Sequence, residues 1–324
     1  MAKLAIVDIG TNSIHMVLAD IDPDGSYKIL DRFKDMTRLG DGSFQRKCLS
    51  EAAMIRGIEV LRTLTTLARN KGFSKIVMAA TSAVREAKNG GQFIEAVAEQ
   101  TQVRVRVVTG QEEARLIYLG IRQSMELTDT PSLMVDIGGV SVEIIAGTRD
   151  RLVGAQSLKL GAIRLKDQFL GKAPPSNSQL RELYTAVEHE LREALHQLKL
   201  DKVDRIIASS GMAANLAEIV YFQRTGQKIS QLNMATMSLK EISLIEEHLA
   251  TSDREKRLEI PGLDSQRVDT LLPAATIIRT ILELTGQKEV TISDKALREG
   301  LIDDFIQKNP KTIRKKPPET IRIK

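Results

Sequence analysis

The chain has 324 residues, too many for one typical hydrophobic core and suited to two domains of about 150 residues each. Its composition, 42% hydrophobic and 27% charged, is that of an ordinary soluble protein, and its net charge of +5 favours anionic partners. The single cysteine, Cys48, excludes an intramolecular disulfide framework and fits a reducing compartment.

Membranes and nucleic acids are not the expected partners. The N-terminus leads almost directly into a strand, without the basic and apolar regions of a signal peptide, and no run approaches the ~20 apolar residues of a membrane span. Aromatic residues make up 3% of the chain and Trp is absent, which disfavours base stacking on an aromatic platform. We therefore expect a cytoplasmic protein that binds neither a membrane nor a specific nucleic acid.

The first part of the chain predicts three strands, then alternating helices and strands. The strands fall near 3–9, 13–21, 27–34, 75–80 and 103–108, and the helices near 50–71, 91–100 and from 111 onwards. Ser50 is a plausible N-cap of the first helix, and Gly72 stands just past its end.

After a turn at 129–131 the same order starts again. Strands are predicted near 133–137, 141–147 and 151–158, followed by a long helix at 178–198 with leucines spaced by three and four. A strand at 205–208, a helix from Met212, a strand at 289–292 and a final helix at about 294–307 complete the pattern, with mostly helical sequence between them.

Two stretches share one layout: LAIVDIGTNSIHMVLA at 4–19 and LMVDIGGVSVEI at 133–144. The matched residues are Asp8, Ile9, Gly10 and Ser13 in the first copy and Asp136, Ile137, Gly138 and Ser141 in the second, each pair 128 positions apart (136 − 8 = 128). A second pair of loops, with Thr81 and Ser82 in one and Ser209 and Ser210 in the other, keeps this offset. The sequence therefore predicts a duplicated α/β domain.

The matched hairpins suit phosphate chemistry. An Asp-x-Gly turn directs backbone N–H groups outward into a concave anion site, and the hydroxyls of Ser13 and Ser141 can each add a donor. An acid at the strand end would repel phosphate unless a cation lies between them, so Asp8 and Asp136 suggest bound Mg²⁺. Two such hairpins facing each other could hold a chain of phosphates.

Three further residues have both a functional and a structural interpretation. Arg85 could present its guanidinium to a phosphoryl oxygen, or pair with Glu86 at the surface. Glu112 and Glu113 fall in the first turn of a helix, where acids complement the helix dipole. One of them could instead orient a water for attack on a terminal phosphate.

Several motifs together resemble the Ppx/GppA family, the exopolyphosphatases and guanosine pentaphosphate phosphohydrolases. They are DIGTNSIHMVLAD, AATSAVREAKN, VTGQEEARLIYLGI, VDIGGVSVEI, SLKLGAIRL, ASSGMAANLAEI and ISDKALREGLIDDF, in the family's order between residue 1 and about residue 308. The resemblance implies an α/β fold of duplicated actin-like, ribonuclease-H-like domains with the active site in the interdomain cleft.

The resemblance also implies how the chain is divided. An N-terminal phosphate-binding domain would span 1–127 and a C-terminal domain with helical insertions 128–308, with the last helix, about 294–308, able to pack back on the first domain. The basic segment 309–324 is either an arm for a polyanion or a disordered extension, and we prefer the second interpretation.

The site residues are carried over by position from the resemblance. Glu113 would activate the attacking water, and Arg85 would neutralise the terminal phosphoryl group. The metal ligands for Mg²⁺, with which a monovalent cation such as K⁺ can act, would be Asp8, Asp136 and Glu143. The phosphate-binding residues would be Gly10, Asn12, Ser13, Thr81, Ser82, Gly138, Gly139, Ser141 and Gly211.

The chain departs from the family in two respects. Where the family reads DIGGGSTE, Val140 replaces the third glycine and Val142 the threonine, which would put a side chain where backbone meets phosphate. None of the four histidines, His15, His189, His196 and His248, is followed by Asp, so the metal-type motif of long family members is missing. The chain resembles the short two-domain members, or a long one cut after the second domain.

The expected activity is that of a phosphoric anhydride hydrolase. It would release terminal phosphate from inorganic polyphosphate, or the 5′ phosphate of the stringent-response nucleotide guanosine pentaphosphate, and the sequence does not separate the two. The alternatives are a non-catalytic sensor of polyphosphate or of guanosine penta- or tetraphosphate, suggested by Val140 and Val142, and a small-molecule kinase of the same fold. A homodimer is plausible because the fold family often forms one.

Overall fold

The computed structural model describes residues 2–40, 47–171 and 173–310. The described residues form two compact units, one made of those up to 109 together with those from 298 on, and the other of those between 110 and 297. The sequence predicted a division at 127, but the helix that begins at Gly110 belongs to the second unit. From residue 311 on, the predicted basic tail lies outside the described residues.

The strands and long helices fall where the sequence predicts them. The strands are β1 Ala2–Ile9, β2 Ile14–Ile21, β3 Tyr27–Asp35, β4 Lys75–Ala80, β5 Val105–Val107, β6 Ser132–Ile137, β7 Val142–Gly147, β8 Leu152–Leu158, β9 Ile206–Ser209, β10 Thr236–Ser238 and β11 Glu289–Ile292. The helices are α1 Glu51–Asn70, α2 Ser82–Glu86, α3 Gly90–Thr101, α4 Gly110–Ser124, α5 Ala162–Phe169, α6 Asn177–Leu198, α7 Ser210–Thr225, α8 Leu239–Thr251, α9 Arg254–Leu258, α10 Leu271–Thr285 and α11 Leu297–Lys308. The short elements α2, α5 and β10 were not predicted. Within the described ranges, no helix combines the length and apolar character needed to cross a membrane.

The first unit is built on a five-stranded sheet in the order β3-β2-β1-β4-β5, with β1 antiparallel to β2 and parallel to β4. Helix α1 begins as predicted, because the Ser50 side chain accepts a hydrogen bond from the Ala53 N–H at 3.2 Å. Its apolar face packs closely on α3, since a Cβ at Gly57 would lie 3.1 Å from the ring of Phe93. Together with the apolar residues of the strands, these helices bury one face of the sheet.

The second unit is built on a six-stranded sheet in the order β10-β11-β9-β6-β7-β8. Here β6 is antiparallel to β7 and parallel to β9, the arrangement that β1, β2 and β4 have in the first unit. Helix α10 is largely buried because it packs against α6, α7 and α8. The two sheets and their helices make the predicted α/β fold with a repeated strand order.

The repeat holds in the hairpins but shifts in the neighbouring parallel strand. Asp8 pairs with His15 and Asp136 pairs with Glu143, so both positions keep the offset of 128 (136 − 8 = 128, 143 − 15 = 128). In contrast, Asp8 lies beside Ala79 whereas Asp136 lies beside Ser209, an offset of 130 (209 − 79 = 130). The parallel strand is thus shifted by two residues between the units. Because side chains alternate with a period of two, Ser209 faces the same side of its sheet as Ala79 does, but it places a hydroxyl beside the aspartate.

Candidate active site

A row of polar side chains crosses the sheet of the second unit. Asp136 on β6 lies opposite Glu143 on β7, Glu143 lies opposite Ser157 on β8, and Asp136 lies beside Ser209 on β9. The Ser209 hydroxyl donates to Asp136 Oδ2 at 2.5 Å, and the Ser157 hydroxyl donates to Glu143 Oε1 at 2.8 Å. Each carboxylate of the pair therefore has its orientation fixed by a serine from the neighbouring strand on its other side.

Glu143 is the most enclosed of these carboxylates, with an exposed fraction of 1%. Burial raises its pKa well above the ordinary value, and the neighbouring carboxylates of Glu113 and Asp136 raise it further. Hydrogen bonds from the Ser157 and Ser141 hydroxyls act in the opposite direction. Several carboxylates thus share a site of low dielectric, which favours a proton or a bound cation there.

Helix α4 brings Glu113 to this site because its first turn packs tightly on β8. A Cβ at Gly110 would lie 2.5 Å from the Cβ of Ser157, so only glycine permits this approach. The Gln111 side chain also donates to the Ala155 carbonyl at 3.1 Å. Glu113, 7% exposed, then lies near enough to Glu143 to raise the pKa of that carboxyl.

The two adjacent glutamates of α4 differ in their surroundings. Glu112 accepts two hydrogen bonds from the guanidinium of Arg115, at 2.9 and 3.0 Å, in an ion pair on the helix surface. Glu113 is instead buried beside the carboxylates of the sheet. The sequence allowed either glutamate to act, and this geometry separates them.

The hairpin turn of the second unit has its carbonyls bound by the start of α5. The hydrogen bonds run from Ala162 N to Gly138 O at 2.9 Å, Ile163 N to Gly139 O at 2.9 Å and Gly161 N to Val140 O at 3.1 Å. In a trans peptide the C=O and N–H groups point in opposite directions. The N–H groups of Gly139, Val140 and Ser141 are therefore directed away from α5, in succession, as in an anion-binding nest.

Val140 does not disturb this turn. Its side chain is 3% exposed and its φ is not positive, and Val142 is fully buried. The sequence predicted that a valine here would put a side chain where backbone meets phosphate, whereas the structure buries this side chain. Because the side chain packs into the core, Val140 offers its N–H group to the turn as a glycine would.

Two residues that the sequence did not single out support the turn from below. A Cβ at Gly161 would lie 2.2 Å from backbone atoms of Val140, so the chain after β8 can pass under the turn only with glycine. Arg164, 5% exposed, donates from Nε to the Val140 carbonyl at 2.9 Å. Both lie in the SLKLGAIRL stretch, which carried no residue assignment before.

The hairpin of the first unit is built in the same way. Gly10 N bonds Ser13 O at 3.1 Å, as Gly138 N bonds Ser141 O at 3.0 Å. The segment after β3 binds the turn carbonyls, with Gly40 N on Thr11 O and Arg38 N on Asn12 O, both at 2.9 Å. The N–H groups of Asn12 and Ser13 consequently face away from that segment. Of the predicted phosphate-binding residues of this hairpin, Asn12 and Ser13 thus have the backbone orientation that the role requires, whereas the Gly10 N–H is used within the turn.

The residues after β4 lie against the same hairpin. Thr81 N bonds the Ile9 carbonyl at 3.2 Å, and the Ser82 hydroxyl lies 3.2 Å from that of Thr11. Arg85 on α2 donates from Nη1 to the Val108 carbonyl at 2.9 Å, which ties it to the end of β5. The first unit therefore brings Thr81 and Ser82 to its hairpin.

Gly211, the last predicted phosphate-binding residue, lies under an arginine. A Cβ there would be 2.3 Å from the guanidinium of Arg267, a side chain 9% exposed that binds Asp264 at 3.2 Å. The preceding Ser210 has a φ of 97°, a strained value for a residue with a side chain. The structure therefore adds Arg267, which the sequence did not single out, to this loop.

The second unit offers two carboxylates that could hold Mg²⁺ but no larger cluster of metal ligands among the described residues. Among the residues described, no group of three or more His, Cys, Asp or Glu side chains is arranged to hold a metal. Mg²⁺, however, is usually bound through one or two carboxylates, with water and substrate phosphates completing its octahedron. The paired carboxylates of Asp136 and Glu143 match that demand.

The repeated strand order and the two matched hairpins define the class of protein. They are features of the actin-like, two-domain α/β proteins, and the solved structures that resemble this chain have that fold. Residues 17–309 match the model of the Ppx/GppA phosphatase family, and the chain belongs to that family. The resemblance drawn from the motifs is thereby confirmed.

Solved structures agree with this assignment over nearly the whole chain. An exopolyphosphatase from Cytophaga hutchinsonii is 28% identical, with a TM-score of 0.88 over 94% of this chain and 98% of that one. The Ppx/GppA family member from Aquifex aeolicus is 24% identical, with a TM-score of 0.81 over 95% of this chain and 98% of that one, and shows the fold alone. Family and neighbours support a phosphatase-type hydrolase.

Proposed function

We propose that this chain hydrolyses the terminal phosphate of inorganic polyphosphate by attack of a water molecule that Glu113 activates. The observation that carries the proposal is the carboxylate pair of Asp136 and Glu143 on adjacent strands, with the buried Glu113 near enough to raise the pKa of Glu143. The exopolyphosphatase from Cytophaga hutchinsonii supports the choice of substrate.

Glu113 is the better candidate for the base. Glu112 is held in an ion pair by Arg115, on the other side of the helix start. A carboxylate that accepts a proton from water in the transition state contributes about 10²–10⁴-fold to the rate. Glu113 would orient the water and take its proton as the bond to phosphorus forms.

The phosphate chain would bind to backbone N–H groups. In the second unit these are the amides of Gly139, Val140 and Ser141, and in the first those of Asn12 and Ser13, whose orientation follows from their bound carbonyls. Arg85 would neutralise charge on the phosphoryl group as it is transferred. Amides suit this role because they bind phosphate oxygens without carrying a fixed charge.

Asp136 and Glu143 would hold a Mg²⁺ ion, and Asp8 remains the predicted ligand of the first unit. When bound, the metal would neutralise phosphate charge and polarise the phosphoryl oxygen. It would also offset the repulsion that raises the pKa of Glu143. A monovalent cation such as K⁺ and a homodimer remain expectations from the family.

Guanosine pentaphosphate is the second candidate substrate, since its terminal phosphate would meet the same groups. The sensor alternative depended on Val140 and Val142, and both side chains are buried. The kinase alternative is disfavoured because the ASSGMAAN loop lacks paired glycines for an adenine, and its Gly211 is covered by Arg267.

The test is phosphate release by the purified chain with Mg²⁺, from long-chain polyphosphate and from guanosine pentaphosphate in parallel. We expect release from polyphosphate that stops when the metal is chelated. A folded chain that binds polyphosphate but releases nothing would support a sensor. Transfer of labelled phosphate from ATP to a small-molecule acceptor would support a kinase.

A further inference from the structure

His15 takes the place in the first unit that Glu143 has in the second. It lies opposite Asp8 on β1, at the same offset of 128 (143 − 15 = 128), and opposite Lys34 on β3. The repeat has therefore replaced a carboxylate by an imidazole next to one of its two phosphate-binding hairpins. The sequence had given this histidine no role.

Both ring nitrogens of His15 are hydrogen-bonded. Nδ1 lies 2.7 Å from Nη1 of Arg298, at the start of α11, and Nε2 lies 2.8 Å from the Ser13 hydroxyl. A guanidinium can only donate, so Nδ1 must be the acceptor. The ring is then neutral, its proton is on Nε2, and Nε2 donates to the Ser13 oxygen.

This order of donors fixes what the Ser13 hydroxyl can do. Its oxygen accepts from His15, so its own hydrogen is directed to another acceptor, and a hydroxyl that accepts one hydrogen bond becomes a better donor. The equivalent position in the second unit holds Glu143, whose carboxylate accepts from Ser157 and when ionised has no hydrogen to give to Ser141. The two hairpins therefore differ, since the first has a donor that prepares its serine hydroxyl to donate.

We propose that Arg298 and His15 form a positioning relay that presents the Ser13 hydroxyl as a donor to a phosphate oxygen of the substrate. The inference rests on the proposed function, because the ligand is taken to be a phosphate chain. Neither Arg298 nor His15 touches the substrate, and both act through Ser13.

The first test reads the tautomer directly and does not depend on catalysis. In the full chain labelled with ¹⁵N-histidine, the His15 resonances are those missing from the His15→Gln variant. We expect a neutral ring protonated at Nε2 at pH 7.5, and loss of that preference in Arg298→Ala. A ring protonated at Nδ1, or at both nitrogens, would overturn the relay.

The second test measures coupling between His15 and Ser13. His15→Leu should raise KM for polyphosphate about tenfold with a smaller change in kcat, since a hydrogen bond to a charged group is weakened. His15→Gln, whose amide can still donate to the serine, should restore most of the loss. The double variant with Ser13→Ala should be no worse than Ser13→Ala alone, whereas independent effects would overturn the proposal. His189→Leu, at an exposed position on α6, is the control.

Calorimetry with tripolyphosphate in EDTA separates this inference from the proposed function. If the wild type binds tripolyphosphate but hydrolyses no phosphate chain, the proposed function fails. The relay is then tested by Kd: His15→Leu should weaken binding in the wild type but should not weaken it further in Ser13→Ala. If the wild type binds no phosphate chain, both proposals fail. If KM and Kd do not change in His15→Leu while the tautomer is as expected, the relay has no role in binding and is overturned.

Discussion

Glu143 and Asp136 lie directly opposite each other on adjacent antiparallel strands, where like charges repel most strongly. Each carboxylate receives a serine hydroxyl, from Ser209 on Asp136 and from Ser157 on Glu143. Two like charges in these positions lower the stability of the fold, so we expect the pair to serve a purpose other than stability. In the proposed function, that purpose is to hold Mg²⁺ near Glu113.

Stability without metal should fall as the pH rises because of Glu143. Burial and the neighbouring carboxylates raise its pKa above the ordinary 4.5. At pH values between 4.5 and the raised pKa, the folded state therefore binds more protons than the unfolded state. Stability is then lost as the pH rises from about 4.5 through the raised pKa. In urea unfolding with EDTA, Glu143→Gln should remove much of this loss. The exposed Glu190→Gln is the control, and equal pH slopes for wild type and Glu143→Gln would contradict the account.

Gly161→Ala should abolish most of the activity, because its Cβ would meet the Val140 backbone at 2.2 Å and displace the turn. We expect phosphate release to fall about 100-fold, the scale found when oriented N–H donors are lost. Gly91→Ala is the matched control, since nothing lies within 4 Å of its added Cβ. Near-normal activity in a folded Gly161→Ala variant would show that the N–H groups of the turn do not bind the substrate phosphate.

Val140→Gly should lower stability without raising activity. The variant loses a buried side chain and gains backbone freedom, which together cost about 2–4 kcal/mol of unfolding free energy. Phosphate release by the folded protein should stay within about twofold, because the Val140 N–H is oriented by its neighbours, not by its side chain. A large gain in activity would mean that the valine obstructs phosphate.

Glu241→Gln should weaken the start of α8. Hydrogen bonds from Arg224 and Ser238 lower the pKa of Glu241 to about 2, so its contribution is present above 4.5 and is lost as the pH falls towards about 2. We expect a loss of about 1 kcal/mol at pH 7, the scale of a helix cap, and none near pH 2. Glu247→Gln, exposed on the same helix, should change little. A loss for Glu241→Gln that does not vary with pH would contradict the assignment.

The sequence predicted those features that depend on neighbouring residues. Runs of β-forming residues predicted the strands, and the repeated Asp-x-Gly predicted both hairpins, whose turn bonds differ by only 0.1 Å (3.1 and 3.0 Å). The sequence also predicted Ser50 as the N-cap of α1, because the capping hydrogen bond reaches only three residues along the chain, to Ala53.

The remaining features depend on contacts between distant parts of the chain. The bond from Arg298 to His15 spans 283 residues, and the two-residue shift that brings Ser209 to Asp136 depends on which strands pair. The direction of the Val140 side chain depends on the backbone conformation of its turn. The two glutamates of α4 are a different case, because the family motif pointed to Glu113 and the local ion pair between Glu112 and Arg115 agrees with that choice.

The most direct test of the central claim compares Glu113→Gln with Glu112→Gln in phosphate release from polyphosphate with Mg²⁺. Both variants remove one negative charge from the first turn of α4, so any effect through the helix dipole is shared. The account predicts that Glu113→Gln loses about 10²–10⁴-fold in kcat while Glu112→Gln stays within about threefold of the wild type. Equal losses in the two variants, or full activity in Glu113→Gln, would contradict the assignment of Glu113 as the residue that activates water.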